Sequence, residues 1–127
     1  MLGAEQAAFQ AKTQATGFQM ADLEAFRVRL TEANAVMNLV GPDSLPDFWT
    51  RHAWDSAQLL AQAPDARTWA DLGAGAGFPG VVLAILSKGR EGAHVWLIDS
   101  LGKRCRFLQE IVDMLALTAT AITLPLI

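Results

Sequence analysis

The stretch "DLGAGAGFPG" (residues 71–80) decides how this chain folds. It sets three glycines between a short apolar run, "TWADL", and a longer one that opens on a fourth, "GVVLAILSK". Glycines in such a place permit dihedrals closed to other residues and let a ligand approach the backbone. The spacing predicts a strand over 68–72, a tight loop, and then a helix ended by Gly89 and Gly92. That helix is apolar nearly all round, as suits one packed on a sheet face. Working outward, "AHVWLID" predicts a second strand over 93–98 with Asp99 at its carboxyl end. "GKRCRFLQEIVDMLAL" predicts a helix with Phe107, Leu108, Ile111, Val112 and Leu115 facing inward, and "TAITLPL" a third strand over 120–126.

Short strands alternating with helices are the pattern of an α/β fold around a parallel sheet. Right-handed crossovers put the three strands in the order 3-2-1. This is the first half of a doubly wound, Rossmann-like sheet, with ligands expected beyond the strand carboxyl ends. The first strand, central in a complete fold, then has no partner on its other side. The expectation is a truncated sheet, or an edge that something else covers.

Upstream, residues 1–63 are poor in strand signals and rich in Ala, Gln and Leu. Met20, Leu23, Phe26, Leu30, Ala33 and Met37 recur at steps of three and four, which predicts one buried stripe on a helix over about 20–38. "VGPDSLPD" breaks it, and a second helix is predicted from Leu45 or Pro46 to Ala63, where "APDAR" closes it. The organisation expected is an N-terminal helical region, 1–63, and a partial Rossmann-like cofactor-binding region, 64–127, packed as one domain.

The chain has 127 residues, 52% hydrophobic and 18% charged, which excludes a disordered linker. No apolar run reaches the ~20 residues of a membrane span, and "MLGAEQAAFQAK" lacks the form of a signal peptide. A cytoplasmic protein without a membrane partner is expected. Cys105 is the single cysteine, which excludes an internal disulfide and a multi-cysteine metal site. A net charge of −3 offers no global attraction to nucleic acid, so an RNA partner needs a local patch. The candidates are Lys103, Arg104 and Arg106 in "LGKRCRF", with Arg51 and His52 in "TRHAWDS". A solvated helix face is the alternative.

The glycine loop itself has two parses. Counted from Gly73 it is G-x-G-x-G behind an acid, the first loop of many S-adenosylmethionine (SAM) methyltransferases. Counted from Gly75 it is G-x-G-x-x-G, the dinucleotide fingerprint. Asp71 favours the first parse, because a charged residue and an extra glycine stand where the dinucleotide strand runs apolar into its loop. Its carboxylate either orients the loop, meets a ligand's cationic portion, or caps nearby amides. Asp99 can accept both hydroxyls of an adenosine ribose in either parse. Phe78 covers the ligand or packs helix to sheet.

"NLV" at Asn38, "RHAWDS" (residues 51–56), "DLGAGAGFPG" and "LIDSLGKRCRFLQ" (residues 97–109) together resemble, in order and spacing, the small-subunit ribosomal RNA methyltransferase G family, also known as glucose-inhibited division protein B. The resemblance covers about residues 20–125, with gaps. It implies transfer of a methyl group from SAM to N7 of a guanine, with 16S ribosomal RNA or the small ribosomal subunit as partner. N7 is already a lone-pair nucleophile, so alignment and a dehydrated site suffice and no catalytic acid or base is expected. Carried onto this sequence, the resemblance places SAM against Gly73, Gly75 and Phe78, with Asp99 on the ribose and Asp71 at the preceding strand end. Lys103 and Arg104 lie on the same rim, where RNA phosphates are met. Arg51, His52 and Asp55 either order the site or meet RNA, or else Arg51 and Asp55 simply pair along one helix.

After "LPL" the family continues with an Arg-Ala-Glu-like segment that helps hold the adenine, and then with its remaining strands. The resemblance is therefore to the family's N-terminal portion, a monomer at full length and an edge-paired dimer if truncated. Two other functions are open to such a chain. One is an inactive half-domain acting as an interaction unit. The other is an NAD-dependent oxidoreductase, disfavoured by Asp71 and by the lack of a recognisable catalytic residue.

Overall fold

The computed structural model describes residues 2–126. It opens with α1 (Ala4–Thr13) and α2 (Gly17–Met37). A capping box starts α2: Gln19 N–H donates to Thr16 Oγ1 at 3.1 Å, and Thr16 N–H donates to Gln19 Oε1 at 2.9 Å. Asn38 ends it in the left-handed region, which asparagine tolerates, and the buried Asn34 side chain accepts Val40 N–H at 2.8 Å. The expected stripe is the buried one. Met20, Leu23, Phe26, Leu30 and Ala33 are buried, and Met37 packs against them from the margin.

The helix expected from Leu45 or Pro46 to Ala63 forms in three pieces instead. A 3-10 segment, Pro42–Asp47, leads into a π-helical turn, Phe48–Ala53, and then α3 (Trp54–Gln62). Pro46 stands four residues after Pro42 and has no N–H with which to close an α-helical turn on it, so the chain takes tighter turns there before the helix begins. The wide turn that follows brings Phe48, Trp49 and Ala53 all into the core.

Three parallel strands follow, β1 (Thr68–Leu72), β2 (His94–Asp99) and β3 (Ala119–Thr123), joined through α4 (Gly80–Leu86) and α5 (Gly102–Leu115). The order is β1-β2-β3, the predicted 3-2-1 counted from the other edge. Strand boundaries move: β2 takes in Asp99, and β3 begins one residue early, at Ala119. Ala93 lies outside β2, and β3 stops at Thr123 rather than at residue 126. Leu124 still donates to Asp99 O at 3.0 Å, but Pro125 has no N–H with which to extend the ladder.

Strand alternation sorts the sheet into two faces. Val95, Leu97 and Asp99 are buried on one face, together with Leu108 and Ile111 of α5 and Val81 to Ile85 of α4. Because α4 contacts both the sheet and the helices α2 and α3, it is buried on every side, which accounts for its uniformly apolar sequence. On the other face Leu72 is 69% exposed and Trp96 41%, and the outer edge of β1 is unpaired among the described residues.

Candidate functional site

The glycine loop lies across the carboxyl ends of β1 and β2, held by hydrogen bonds to both. Gly73 N–H and Ala74 N–H donate to Ile98 O at 2.8 and 2.9 Å. Gly75 N–H donates to Asp99 Oδ2 at 3.0 Å, and Gly80 N–H to Asp71 Oδ2 at 2.9 Å. Each strand-end carboxylate therefore holds one part of the loop. For Asp71 this is a bond to a nearby backbone amide, which its loop-orienting and amide-capping alternatives share.

The four glycines divide by what surrounds them. A Cβ on Gly80 would run into the Leu97 side chain and come within 2.8 Å of Asp71 Oδ2, so this glycine lets α4 lie close on the sheet. On Gly77 it would lie 2.8 Å from Val81 Cγ2 and 3.0 Å from Phe26 Cζ. Gly73 and Gly75 differ: both have positive φ, +82° and +49°, yet a Cβ on Gly73 would meet nothing within 4 Å and one on Gly75 only Gly73 O at 3.8 Å. These two line open space at the strand ends. Gly80 packs as the third glycine of a dinucleotide loop does, so loop geometry alone leaves both parses standing.

Asp99 is 3% exposed, with Leu101 N–H on Oδ1 at 3.0 Å and Arg104 Nη1 3.7 Å from the same oxygen. Burial alone would push its carboxyl up. The amides of Leu101 and Gly75, the Arg104 guanidinium and the Ser100 amide outweigh that and hold it below the ordinary carboxylate range. Asp71 goes the other way. Burial raises it, the Gly80 amide only partly offsets this, and the negative charge of Asp99 adds to the rise. Two carboxylates at neighbouring strand ends are thus poised in opposite directions.

Around this centre the other candidates take their places. Lys103 is exposed in the first turn of α5, next to the half-exposed Arg104. Cys105 is buried under them, its thiol 3.4 Å from Ile122 O. Arg51 lies 3.8 Å from Asp47 and not on Asp55, so the pairing expected along the helix runs toward the N-terminus instead. Phe78 joins an aromatic cluster with Phe26 and Phe48, ring centroids 5.5 and 5.9 Å away, and stacks on His52 at 4.7 Å and 21°. His52, Asp55, Ser56 and Leu59 face Phe78 and Pro79 across a groove of about 310 Å³. The motif "RHAWDS" held the signal for this groove, but nothing in the sequence says that it meets the loop at Phe78.

A family model described as rRNA small subunit methyltransferase G matches residues 19–124. The chain belongs to this family. Relatives named ribosomal RNA small subunit methyltransferase G include one from Caulobacter sp. (strain K31), 64% identical over 87% of this chain and 50% of its own length. One from Bradyrhizobium sp. (strain BTAi1) is 45% identical over 88% of this chain and 50% of its own. One from Methylorubrum populi is 50% identical over 69% of this chain and 42% of its own. The chain spans about half the length of the curated relatives it matches. Among the described residues, no helix is long and apolar enough to cross a membrane.

Proposed function

We propose that this chain forms the cofactor-binding part of a cytoplasmic SAM-dependent methyltransferase acting on N7 of a guanine in 16S ribosomal RNA. The observation that carries the proposal is the pair of open, positive-φ glycines, Gly73 and Gly75, on a loop anchored to Asp99, in a chain of this family. The donor set fits SAM. A bare backbone allows close approach of the nucleoside, and Asp99 sets a carboxylate, an acceptor of hydroxyl protons, at the end of β2, the place from which a ribose is held.

SAM, when bound, supplies a methyl group activated by its sulfonium. In this proposal Gly73 and Gly75 bring the loop backbone against it, and Asp99 accepts the ribose hydroxyls. Asp71 fixes the turn into α4 through Gly80, and Phe78 closes the loop side of the site. No side chain need act as acid or base, because guanine N7 attacks with its own lone pair; the protein contributes alignment and exclusion of water. Lys103 and Arg104 meet RNA phosphates on the rim of α5, and Arg51 and His52 meet RNA from the 48–62 segment. Residues 1–63 and 64–127 work here as one domain.

The test is transfer of tritium from methyl-labelled SAM to small ribosomal subunits or naked 16S RNA from cells lacking the modification. Label at a guanine that becomes sensitive to N7-methylguanine-specific chain cleavage is expected. A folded, SAM-binding chain that labels neither substrate would overturn the proposed activity.

A further inference from the structure

The groove between α3 and the Phe78–Pro79 segment shares one lining residue, Phe78, with the proposed cofactor site, and none of its other lining residues is given a cofactor contact. At about 310 Å³ it is near the lower end of the ~300–1,000 Å³ typical of ligand clefts, room for one flat fragment and not for a whole nucleoside cofactor. Its walls are the apolar Leu59 and Pro79 and the stacked rings of His52 and Phe78. Its one charged lining group is the Asp55 carboxylate, which has no ion-pair partner among the described residues. No Lys or Arg lines the groove, and the nearby Arg51 is paired with Asp47. A phosphate or an amino-acid carboxylate would find no cation there and would meet a negative charge. What fits is a flat, uncharged ring that presents N–H donors.

We propose that this groove receives the base of a guanine turned out of its RNA strand, with Asp55 reading its Watson–Crick edge. The inference rests on the proposed guanine methyltransferase function and deepens it by naming where the base sits. Guanine alone among the four RNA bases places two donors, N1–H and the N2 amino group, side by side, and a carboxylate accepts both in parallel through charge-assisted bonds. Adenine, cytosine and uracil each offer one donor group on that edge. Proteins that act on a turned-out base commonly read it there, between aromatic or apolar side chains. Held by this edge, the guanine keeps N7, on its opposite side, free for a methyl donor.

His52 adds a second contact. Its Nε2 is buried without a hydrogen-bond partner, so the ring is positioned by stacking on Phe78, and turning it breaks no hydrogen bond at that atom. In the tautomer with the proton on Nε2 it is a donor. Guanine O6, an acceptor beside N1–H, is the partner such a ligand would bring.

The test uses single-stranded RNA oligonucleotides identical except at one base, with affinities read by fluorescence anisotropy and SAM affinity by calorimetry in parallel. The chain should bind the guanine oligonucleotide ~10-fold more tightly than one carrying hypoxanthine, which lacks the N2 amino group, or adenine. Asp55→Asn should erase that preference and shift it toward xanthine, whose N1–H and O2 match the carboxamide, while SAM affinity stays put. Misfolding cannot produce a gain of xanthine binding. Equal affinity for all bases, or none, with normal SAM binding overturns the groove assignment and leaves the cofactor proposal intact. A guanine preference that survives Asp55→Asn overturns it too, as does loss of SAM affinity in the folded variant, which would give the groove to the cofactor. Failure of the unaltered chain to bind SAM strikes the proposed function instead, whatever the oligonucleotides show.

Discussion

Asp99 holds Gly75: its Oδ2 accepts the Gly75 amide at 3.0 Å while Oδ1 accepts Leu101 N–H at 3.0 Å, so one carboxylate joins the end of β2, the glycine loop and the start of α5. Asparagine has one acceptor oxygen for these two amides. Asp99→Asn should therefore lower stability by about 1–3 kcal/mol, the usual consequence of leaving a buried donor unpaired. Urea denaturation measures it, and an unchanged midpoint would show that the carboxylate does not hold the loop.

The opposite poise of Asp71 and Asp99 has a pH signature. Asp71 is raised in the fold, so its ionisation opposes folding: the penalty is absent below its unfolded value, ~3.9, and sets in as pH rises through the folded one. Asp71→Asn keeps an acceptor for Gly80 and removes the charge. The variant should be the more stable protein near neutrality, with the advantage fading as pH falls to about 4. Asp99 is lowered, so the stability it contributes is present above its unfolded value and is lost as pH falls through the folded one. Melting temperatures taken between neutral and acid pH test both signs, and an Asp71→Asn variant less stable at neutrality contradicts the first.

Two glycine substitutions separate packing from conformation. Gly80→Ala forces a methyl against Leu97 and Asp71 and should destabilise by about 1–3 kcal/mol through overpacking. Gly75→Ala meets only Gly73 O, at 3.8 Å, so its penalty is the left-handed backbone alone, about 1–2 kcal/mol. Gly75→Val should also block SAM binding, because its side chain would fill the open space that the proposal gives to the cofactor. Thermal melts should rank Gly80→Ala as the more damaging change, and the reverse order would show that the loop relaxes around the added methyl.

Much of this was legible in the sequence, for a local reason. β1 and the inward faces of α2 and α5 follow from periodicity, and the loop from its glycines, all within a single element. What was hidden depends on partners distant in the chain. That Phe78 stacks on His52, that Asp99 takes the Gly75 amide, and that Gly80 abuts Leu97 are products of docking between elements. The single helix expected from Leu45 or Pro46 to Ala63 forms in pieces, because propensity could not foretell a π turn whose benefit is burying Phe48, Trp49 and Ala53 together. Arg51 had acids four residues to either side, and the fold brings Asp47 within reach.

The basic rim divides into two residues with different duties. Lys103 is exposed and forms no ion pair within 4 Å among the described residues, whereas Arg104 lies 3.7 Å from Asp99. Lys103→Ala should flatten the salt dependence of RNA binding by ~0.7 in log K per log salt and leave SAM affinity unchanged. Arg104→Ala should flatten it similarly and also weaken SAM binding, because Asp99 loses a partner. RNA titrations at several salt concentrations, with SAM titrated separately, check both; parallel slopes for all three proteins would remove the rim from RNA binding.

The most direct test of the central claim, that this loop and Asp99 form a SAM site, is isothermal titration calorimetry of the chain and its Asp99→Ala variant with SAM and with NADH. One site for SAM, no heat with NADH, and a 10-fold to 100-fold loss of SAM affinity in the variant are expected, as for a charge-assisted contact worth about 1.5–3 kcal/mol. A folded chain that binds NADH in place of SAM, or an Asp99→Ala variant that binds SAM as well as the unaltered chain, would contradict it.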